Sequence, residues 1–387
     1  MESIINPRVK SGKFEFLYSI SLLFTLVYMV AQPIWHNPTI TGVIWKTGII
    51  SLFLSSLFAT DFTFSKKRLF GFTVLLFVMS IGLLNHNTVV DSSLIFSCIS
   101  FFCMLLEIYF FGGIEISKKL FNNIYKFAVV LTLLFFSYTF TSIAHTFYYR
   151  ESFTTSIYFV FNLDNPNTVG IYLYSIFCII LVNVPKRKYR LFNIILLVLD
   201  FYMIYNTNCR SALFAAIGVV ALSLIPFVKK MPKFFIVLAW ALPIIFVFAY
   251  LALYESGYDD IMVFNKNLFS GRQETYKEFL VLLYEPWHYW FGNLGESQFQ
   301  NAHNAPLAFY TSLGIIGAVI TELMLLFSVY KVNKPTKNSF LSVASIMGLF
   351  ISSSAEAGMF LGGFPGVEFL TSFFLLANYK ESDALYD

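Results

Sequence analysis

Several positions of the chain carry residue types that bind phosphate groups or move protons. Arg210 lies in NTNCRSA (206–212) and Arg272 lies in SGRQ (270–273). Two guanidinium groups can hold a pyrophosphate through bidentate, charge-assisted hydrogen bonds. His303 lies in NAHNAPL (301–307), and a histidine can accept a proton near neutral pH. The sequence therefore predicts a site for a phosphate leaving group and a proton acceptor. The alternatives are an arginine that snorkels to the membrane interface at position 210 and a solvated loop arginine at position 272.

Polar residues near these positions can contribute further contacts. Asn165 and Asn167 flank a proline just before an apolar stretch, and Asn304 follows the histidine. Glu356, in SAEAG (354–358), can orient His303 or bind a sugar hydroxyl. We predict substrate-binding roles for Asn165, Asn167, Asn304 and Glu356. Helix capping is the alternative for the NPN segment, because asparagine is a favoured N-cap residue.

Other catalytic chemistries have no sequence support. The chain has no Walker A sequence, no HExxH and no GxSxG, which disfavours ATP hydrolysis, zinc-dependent hydrolysis and serine hydrolysis. Its four cysteines are scattered and form no CxxC pair. The nearest acidic cluster, Asp259-Asp260, is a poor metal site. We predict neither a metal nor a cofactor.

The composition sets the environment in which this site must work. The chain has 387 residues, of which 57% are hydrophobic, 19% aromatic and only 12% charged. A soluble surface needs about a quarter charged residues, so the apolar bulk requires a lipid bilayer. This balance excludes a cytosolic enzyme and a nucleic-acid-binding protein.

The apolar stretches predict the architecture. A membrane-spanning helix needs about 20 mainly apolar residues. We expect an all-α integral membrane protein, a multi-pass bundle of about twelve transmembrane helices that forms one polytopic domain over residues 1–387. The predicted spans are roughly 14–34, 40–60, 69–84, 92–112, 125–146, 167–184, 191–207, 211–228, 234–254, 304–330, 339–354 and 360–378.

Loop charges predict the orientation of the bundle. Most of the 26 Lys and Arg residues fall in alternate loops and at the two ends of the chain. The positive-inside rule therefore predicts cytoplasmic N- and C-termini. Arg210 and Arg272 break this pattern and lie on the opposite, outer side. Four acidic residues within spans are predicted to form buried pairs or a proton path, namely Glu107, Asp200, Glu322 and Glu368.

One outer loop is much longer than the others. It runs over residues 255–303, and its amphipathic stretch 276–291 is rich in Trp and Tyr. Such a stretch favours a helix lying in the outer membrane interface, with packing against the bundle as the alternative. We expect the polar chemistry at this large extracytoplasmic loop.

The order of these motifs resembles the bacterial O-antigen ligase/polymerase superfamily, which includes Wzy-type polysaccharide polymerases. NPN precedes a span, Arg-Ser opens a later span, and the large loop carries SGR and FGNLG (291–295). His-Asn-x-x-Leu then leads into Gly-x-x-Gly. The motifs cover about residues 165–320, and span count and loop placement agree over the whole chain.

The resemblance implies a metal-independent glycosyltransferase on the outer face of the bacterial cytoplasmic membrane. Its donor would be an oligosaccharide on undecaprenyl pyrophosphate, and its partners would include the acceptor glycan, the lipid bilayer, a flippase and a chain-length regulator. Carried over by motif, Arg210 and Arg272 match the functional arginines of the family and His303 matches its functional histidine. That histidine would act as a general base or bind phosphate.

Four hypotheses follow. The first is a polymerase that joins lipid-linked repeat units into a capsule or O-antigen. The second is a ligase that transfers the finished glycan to another acceptor. The third is a flippase for the lipid-linked sugar, although transporters commonly contain internal repeats and this chain shows none. The fourth is a non-catalytic membrane scaffold. The general resemblance favours the polymerase over the ligase, and the clustering of the suggestive residues on one outer face disfavours the flippase.

Overall fold

Helices dominate the computed structural model. It describes residues 12–35, 37–59, 66–84, 92–111, 116–147, 157–163, 165–185, 189–258, 261–263, 266–267, 272–281, 285–294, 302–331, 337–356 and 364–379. The elements are α1 (Gly12–Trp35), α2 (Pro38–Ala59), α3 (Lys66–Leu84), α4 (Ser92–Phe111), α5 (Lys118–Tyr138), a 3₁₀ turn (Ser142–Ala144), β1 (His145–Phe147), β2 (Ile157–Phe159), α6 (Pro166–Asn183), α7 (Arg190–Asn206), α8 (Arg210–Leu224), α9 (Pro226–Lys230), α10 (Pro232–Glu255), β3 (Met262–Val263), β4 (Lys266–Asn267), α11 (Arg272–Val281), α12 (Pro286–Phe291), α13 (Ala305–Lys331), α14 (Lys337–Ser353) and α15 (Phe364–Ala377).

The helices identify an all-α membrane protein. Among the described residues, six helices are long and apolar enough to cross a bilayer, namely α1, α2, α5, α6, α10 and α13. Shorter apolar stretches lie on α3, α8, α14 and α15. Each predicted span overlaps at least one helix, and the eighth, 211–228, overlaps both α8 and α9. The two antiparallel hairpins β1–β2 and β3–β4 lie in connections between helices. The apolar pattern therefore located the helices well.

The fifth predicted span, 125–146, was placed wrongly at both ends. The helix begins at Lys118, where the Ser117 hydroxyl accepts a hydrogen bond from Leu120 N at 3.2 Å, and it ends at Tyr138. Beyond that point, the hydroxyls of Thr139 and Thr141 donate to backbone carbonyls at 2.6 and 2.8 Å. Such local bonds compete with the helical pattern, and the last part of the predicted span forms a 3₁₀ turn and the start of β1 instead of an α-helix.

The tenth predicted span is a broken helix. Gly314 interrupts α13 with φ 63° and ψ −177°, dihedrals that suit glycine alone. Gly292, with φ 71°, follows α12 and presses against this break, and a Cβ atom at position 292 would lie 2.4 Å from Gly314 N. Asn293 N donates to Thr311 O at 2.8 Å. The loop after α12 thus satisfies a carbonyl just before the break.

The amphipathic stretch 276–291 lies on two helices. Glu285 has extended dihedrals, and Pro286 then starts α12, as expected for a proline at the first helical position. Tyr276 and Phe279 on α11 are buried, whereas Trp287 and Trp290 on α12 are about half exposed. A location in the membrane interface therefore stays a prediction. The exposed tryptophans of α12 fit it better than the buried aromatic residues of α11 do.

Contacts between helix ends define two faces of the bundle. At one face, Glu15 accepts hydrogen bonds from Ser117 N and Oγ at 2.8 and 2.6 Å, which joins the starts of α1 and α5. On the same face, Phe121 stacks on Tyr379, just beyond α15, at 4.2 Å between ring centroids. The opposite ends of the helices include the starts of α6, α8 and α13, which carry the residues of interest.

Two of the four acids that the sequence predicts within spans bind hydroxyl groups. Asp200 on α7 accepts from Thr132 Oγ1 at 3.1 Å, and Glu368 on α15 accepts from Ser21 Oγ on α1. Both carboxyl groups are fully buried. These bonds hold helices together across the core, and the Glu107 side chain lies outside the described residues.

Candidate functional site

The candidate site lies where four helices begin. Arg210 is the first residue of α8, Arg272 is the first residue of α11, and Asn167 is the second residue of α6. His303 comes two residues before α13. The amino ends of helices carry a partial positive charge, so their convergence favours a bound anion. Helix α14 contributes its carboxyl end, just before Glu356.

Glu356 is the centre of this cluster. Its Oε1 accepts from Arg272 Nη2 at 2.6 Å and from Asn167 Nδ2 at 2.7 Å. Its Oε2 lies 3.3 Å from His303 Nδ1. The side chains of Glu356, Arg272 and His303 are 9%, 17% and 31% exposed, so the cluster is accessible mainly through the histidine. The carboxylate joins residues that are far apart in sequence.

Arg210 lies beside this group, next to β4. Its Nη2 donates to Asn267 O in β4 at 3.2 Å. The guanidinium interacts electrostatically with Arg272 and with Glu356. Two positive side chains therefore face one negative one, and the shared space carries an excess of positive charge.

Two asparagines have capping roles in this structure. Asn165 Oδ1 accepts from Asn167 N at 2.9 Å as the N-cap of α6, although its side chain remains exposed. Asn304 is fully buried, its Nδ2 donates to Pro243 O and Ser354 O, and its Oδ1 accepts from Leu307 N. The side chain of Asn304 is therefore buried and bonded within the fold, and a substrate-binding role for it stays a prediction.

His303 adopts an unusual backbone conformation. Its φ of 49° lies in the left-handed region, which is uncommon for residues other than glycine. Its carbonyl accepts from the Tyr276 hydroxyl at 3.3 Å, and Asn304 caps the following helix. Backbone strain of this kind is often found at functional sites, where the surrounding structure enforces it. Here the tight turn places the imidazole beside Glu356.

Burial and charge act together on the titratable groups of the site. Burial lowers the pKa of Arg272, but the Glu356 carboxylate raises it, and the net pKa lies above its usual range. Burial raises the pKa of the Tyr276 hydroxyl, opposed by Arg272. Burial also raises the pKa of the Cys209 thiol to about 11, with Glu356 adding to the effect. Both groups are therefore protonated at neutral pH and act as donors.

Three side chains around the cluster were missed as site residues by sequence reasoning. Tyr276 lies one helical turn after Arg272, a spacing that could have revealed it. Cys209 precedes Arg210, and its Sγ lies 3.6 Å from Asn167 O. Tyr250 on α10 packs against Tyr276 with 5.5 Å between ring centroids, and no sequence signal pointed to it.

Asn304 links the start of α13 to the middle of α10. Its Nδ2 donates to Pro243 O at 2.9 Å, and Pro243 lies near the middle of this 24-residue helix. At the candidate site itself, the side chains of Glu356 and Arg272 are largely buried, so water screens their charges less and their electrostatic interaction is stronger.

Within the described ranges, no three His, Cys, Asp or Glu side chains form a group that could hold a metal ion. The chain matches no protein-family model, no curated protein and no solved structure. The functional interpretation therefore depends on the geometry of the site and on the motifs of the sequence.

Proposed function

We propose that this protein is a glycosyltransferase on the outer face of the bacterial cytoplasmic membrane. It joins oligosaccharide repeat units carried on undecaprenyl pyrophosphate into a surface polysaccharide, such as a capsule or an O-antigen. The observation that carries this proposal is the cluster of Arg210, Arg272, His303 and Glu356 at the convergence of four helix starts.

The charge of the cluster suits a pyrophosphate. When the glycosidic bond to the lipid carrier breaks, negative charge grows on the leaving phosphate oxygen. Arg210 and Arg272 are placed to stabilise that charge, and the amino ends of α8 and α11 add to the field. Because Arg272 and Glu356 are largely buried, these interactions are stronger than they would be in water.

His303 supplies the complementary chemistry. Its side chain is 31% exposed, against 17% for Arg272, so a sugar hydroxyl can approach its imidazole. Removal of the hydroxyl proton by this group would contribute about 10²–10⁴-fold to the rate. Asn167 is partly exposed beside Glu356 and is available to a sugar ring as well.

The proposed topology has twelve spans, with both termini in the cytoplasm. The starts of α1 and α5 and the end of α15 share one face, and basic residues such as Lys118 and Lys119 lie there. The positive-inside rule assigns that face to the cytoplasm. The site then opens to the outer face, where the lipid-linked donor and acceptor enter from the bilayer and a flippase and chain-length regulator work alongside.

A glycan gel tests the proposal. Cells that lack the gene are complemented with the wild type or with Arg210→Ala, Arg272→Ala or His303→Ala at matched protein levels. A Lys277→Ala variant is the control, because Lys277 is a partly exposed cation on the same helix, five residues after Arg272. We expect single lipid-linked repeat units to accumulate outside, with loss of the long ladder, in the deletion strain and in the three site variants only.

Other outcomes assign other functions. If long chains remain on the lipid carrier and never reach the final acceptor, the protein is a ligase with the same chemistry. If single units stay on the inner leaflet, it is a flippase. Full ladders in all three site variants would indicate a scaffold and would overturn the catalytic role of the cluster.

A further inference from the structure

We infer that Glu356 is a positioning residue, which holds His303 as the tautomer with its hydrogen on Nδ1 and couples this histidine to Arg272. The inference deepens the proposed function and rests on it for its catalytic meaning. The tautomer itself follows from the hydrogen-bond geometry alone, so it can be tested separately.

The hydrogen-bond donors around Glu356 determine its charge. Arg272 Nη2 and Asn167 Nδ2 both donate to Oε1, at 2.6 and 2.7 Å. A guanidinium has only donors and stays protonated in proteins, so the short contact with Arg272 favours an ionised carboxylate. Protonation of Glu356 would leave the arginine charge without its partner in a largely buried place.

The charge of Glu356 in turn determines which nitrogen of His303 carries the hydrogen. An ionised carboxylate can only accept hydrogen bonds. His303 Nδ1 lies 3.3 Å from Oε2, so the hydrogen of this contact belongs to the imidazole. In a neutral imidazole with Nδ1–H, the lone pair is on Nε2. The carboxylate therefore sets the atom that accepts a proton.

The reaction then balances without another reactant. The acceptor hydroxyl gives its proton to His303 Nε2, and its oxygen forms a new bond to the anomeric carbon of the donor. The bond between that carbon and the phosphate oxygen breaks, and the electron pair stays on the pyrophosphate. Glu356 faces the imidazolium that results, and Arg272 faces the leaving group.

The Glu356 carboxylate couples the phosphate-binding Arg272 to the proton acceptor His303. Arg272 uses Nη2 toward Glu356, and a guanidinium has five N–H donors, so part of its fork remains for phosphate oxygens. The orientation of that fork and of the imidazole is set by the same group. The other charged or titratable neighbours, which interact electrostatically with Arg272 or Glu356, are Arg210, Tyr250, Tyr276 and Cys209.

Nitrogen NMR tests the tautomer directly. The full-length protein is labelled with ¹⁵N-histidine, reconstituted in nanodiscs and studied at a pH where its histidines are neutral. The chain has five histidines, and the spectrum of His303→Ala assigns the signal of interest. We expect a protonated Nδ1 and an unprotonated Nε2 in the wild type. A wild-type His303 with its hydrogen on Nε2 overturns the inference without any need for a Glu356 variant.

Variants separate positioning from a general structural effect. Glu356→Gln can donate to Nδ1 through its amide, so the Nδ1–H population should fall, while Glu356→Asp should retain it. Glu285→Gln is the matched control, because Glu285 contacts His288 instead. It should change the His288 signal and leave His303 unaltered. An identical His303 spectrum in folded wild type and Glu356→Gln would refute the positioning role.

Kinetics link the tautomer to the proposed reaction. With lipid-linked repeat units as donor and acceptor, Glu356→Gln should lower kcat by about 10²-fold, a typical general-base effect. The donor KM should change less, and Glu356→Asp should recover part of kcat. If the wild type forms no polymer, the proposed function fails while the NMR result stands. If the wild type is active and Glu356→Gln turns over normally, the positioning role fails alone.

Discussion

Two glutamate–histidine pairs in this protein each bring a carboxylate oxygen within 3.3 Å of an imidazole nitrogen, but they differ in sequence separation, burial and partners. Glu285 and His288 lie three residues apart at the start of α12, with 2.5 Å between Oε2 and Nδ1. Glu356 and His303 lie 53 residues apart, with 3.3 Å between the same kinds of atoms. The shorter distance would favour the Glu285–His288 pair as a candidate site. The surroundings of the two pairs favour Glu356–His303 instead.

The surroundings of the two carboxylates explain the difference. Glu285 is 65% exposed, so water screens its charge and the pair contributes little. Glu356 is 9% exposed and also accepts from Arg272 and Asn167, which come from two other helices. A buried carboxylate destabilises the fold unless donors surround it. The positions of Arg272, Asn167 and His303 beside Glu356 therefore depend on one another. The comparison indicates that shared partners on other helices, more than a short distance, distinguish the Glu356–His303 pair.

The largest expected effect comes from Arg272→Ala. It removes a phosphate ligand and leaves a buried carboxylate without its cation. We expect a loss of about 10²–10³-fold in turnover and a loss of about 3–5 kcal/mol in the free energy of unfolding. Turnover in proteoliposomes and denaturation in detergent measure the two effects. Lys277→Ala, which breaks an exposed contact with Glu255 at 4.0 Å, should change neither. Equal effects of both variants would contradict the assigned role of the buried cluster.

The next effect compares the two histidines. His303→Ala should lower the rate of polymer formation by about 10²-fold or more, because the proton acceptor is removed. His288→Ala should leave the rate within about two-fold, since the imidazole pairs with an exposed glutamate in a short local contact. Glycan ladders from matched amounts of protein, sampled over time, give both rates. A strong defect in His288→Ala would place α12 within the active site and would remove the contrast between the pairs.

Much of this architecture was accessible from the sequence. Long apolar stretches predicted the helices, because hydrocarbon requires every backbone group to be bonded within the segment. Unusual cations on the less basic side pointed to Arg210 and Arg272, and the loop–helix junction pointed to His303. The structure places these residues around Glu356, although their catalytic roles remain predictions.

Other features depend on contacts that no local pattern contains. Asn167 and Glu356 are 189 residues apart, and only the packing of α6 beside the end of α14 brings them together. The break at Gly314 depends on the approach of Gly292 from a different helix. Asn304 reads as a free polar residue in the sequence, yet Pro243 and Ser354 bind its amide. The burial of a side chain and its long-range partners determine these contacts, and neither can be predicted from a single sequence.

A smaller effect on stability is expected at the contact between the end of α12 and α13. Gly292 ends α12 and Gly314 lies in α13, and a Cβ atom at either position would lie within 2.4 Å of backbone atoms. Gly314→Ala adds this overlap to a left-handed backbone, with an expected loss of about 2–5 kcal/mol in unfolding free energy. Gly257→Ala has φ 83° in open space and should lose only about 1–2 kcal/mol. Denaturation of both variants in detergent gives the difference, and equal losses would show that the contact between α12 and α13 is loose.

The smallest effect belongs to the exposed pair. In a double-mutant cycle, Glu285→Gln and His288→Gln should show a coupling energy below about 0.5 kcal/mol, because the carboxylate is mostly in solvent. High salt should reduce this value further, since an exposed charge is screened over a few ångströms at 1 M ionic strength. The cycle of Arg272→Gln and Glu356→Gln should instead show coupling above about 1 kcal/mol that salt barely alters, because both side chains are largely buried. Unfolding free energies at low and high salt measure both cycles. If the pair on α12 showed the larger, salt-resistant coupling, the ranking of the two pairs by the burial of their carboxylates would be wrong.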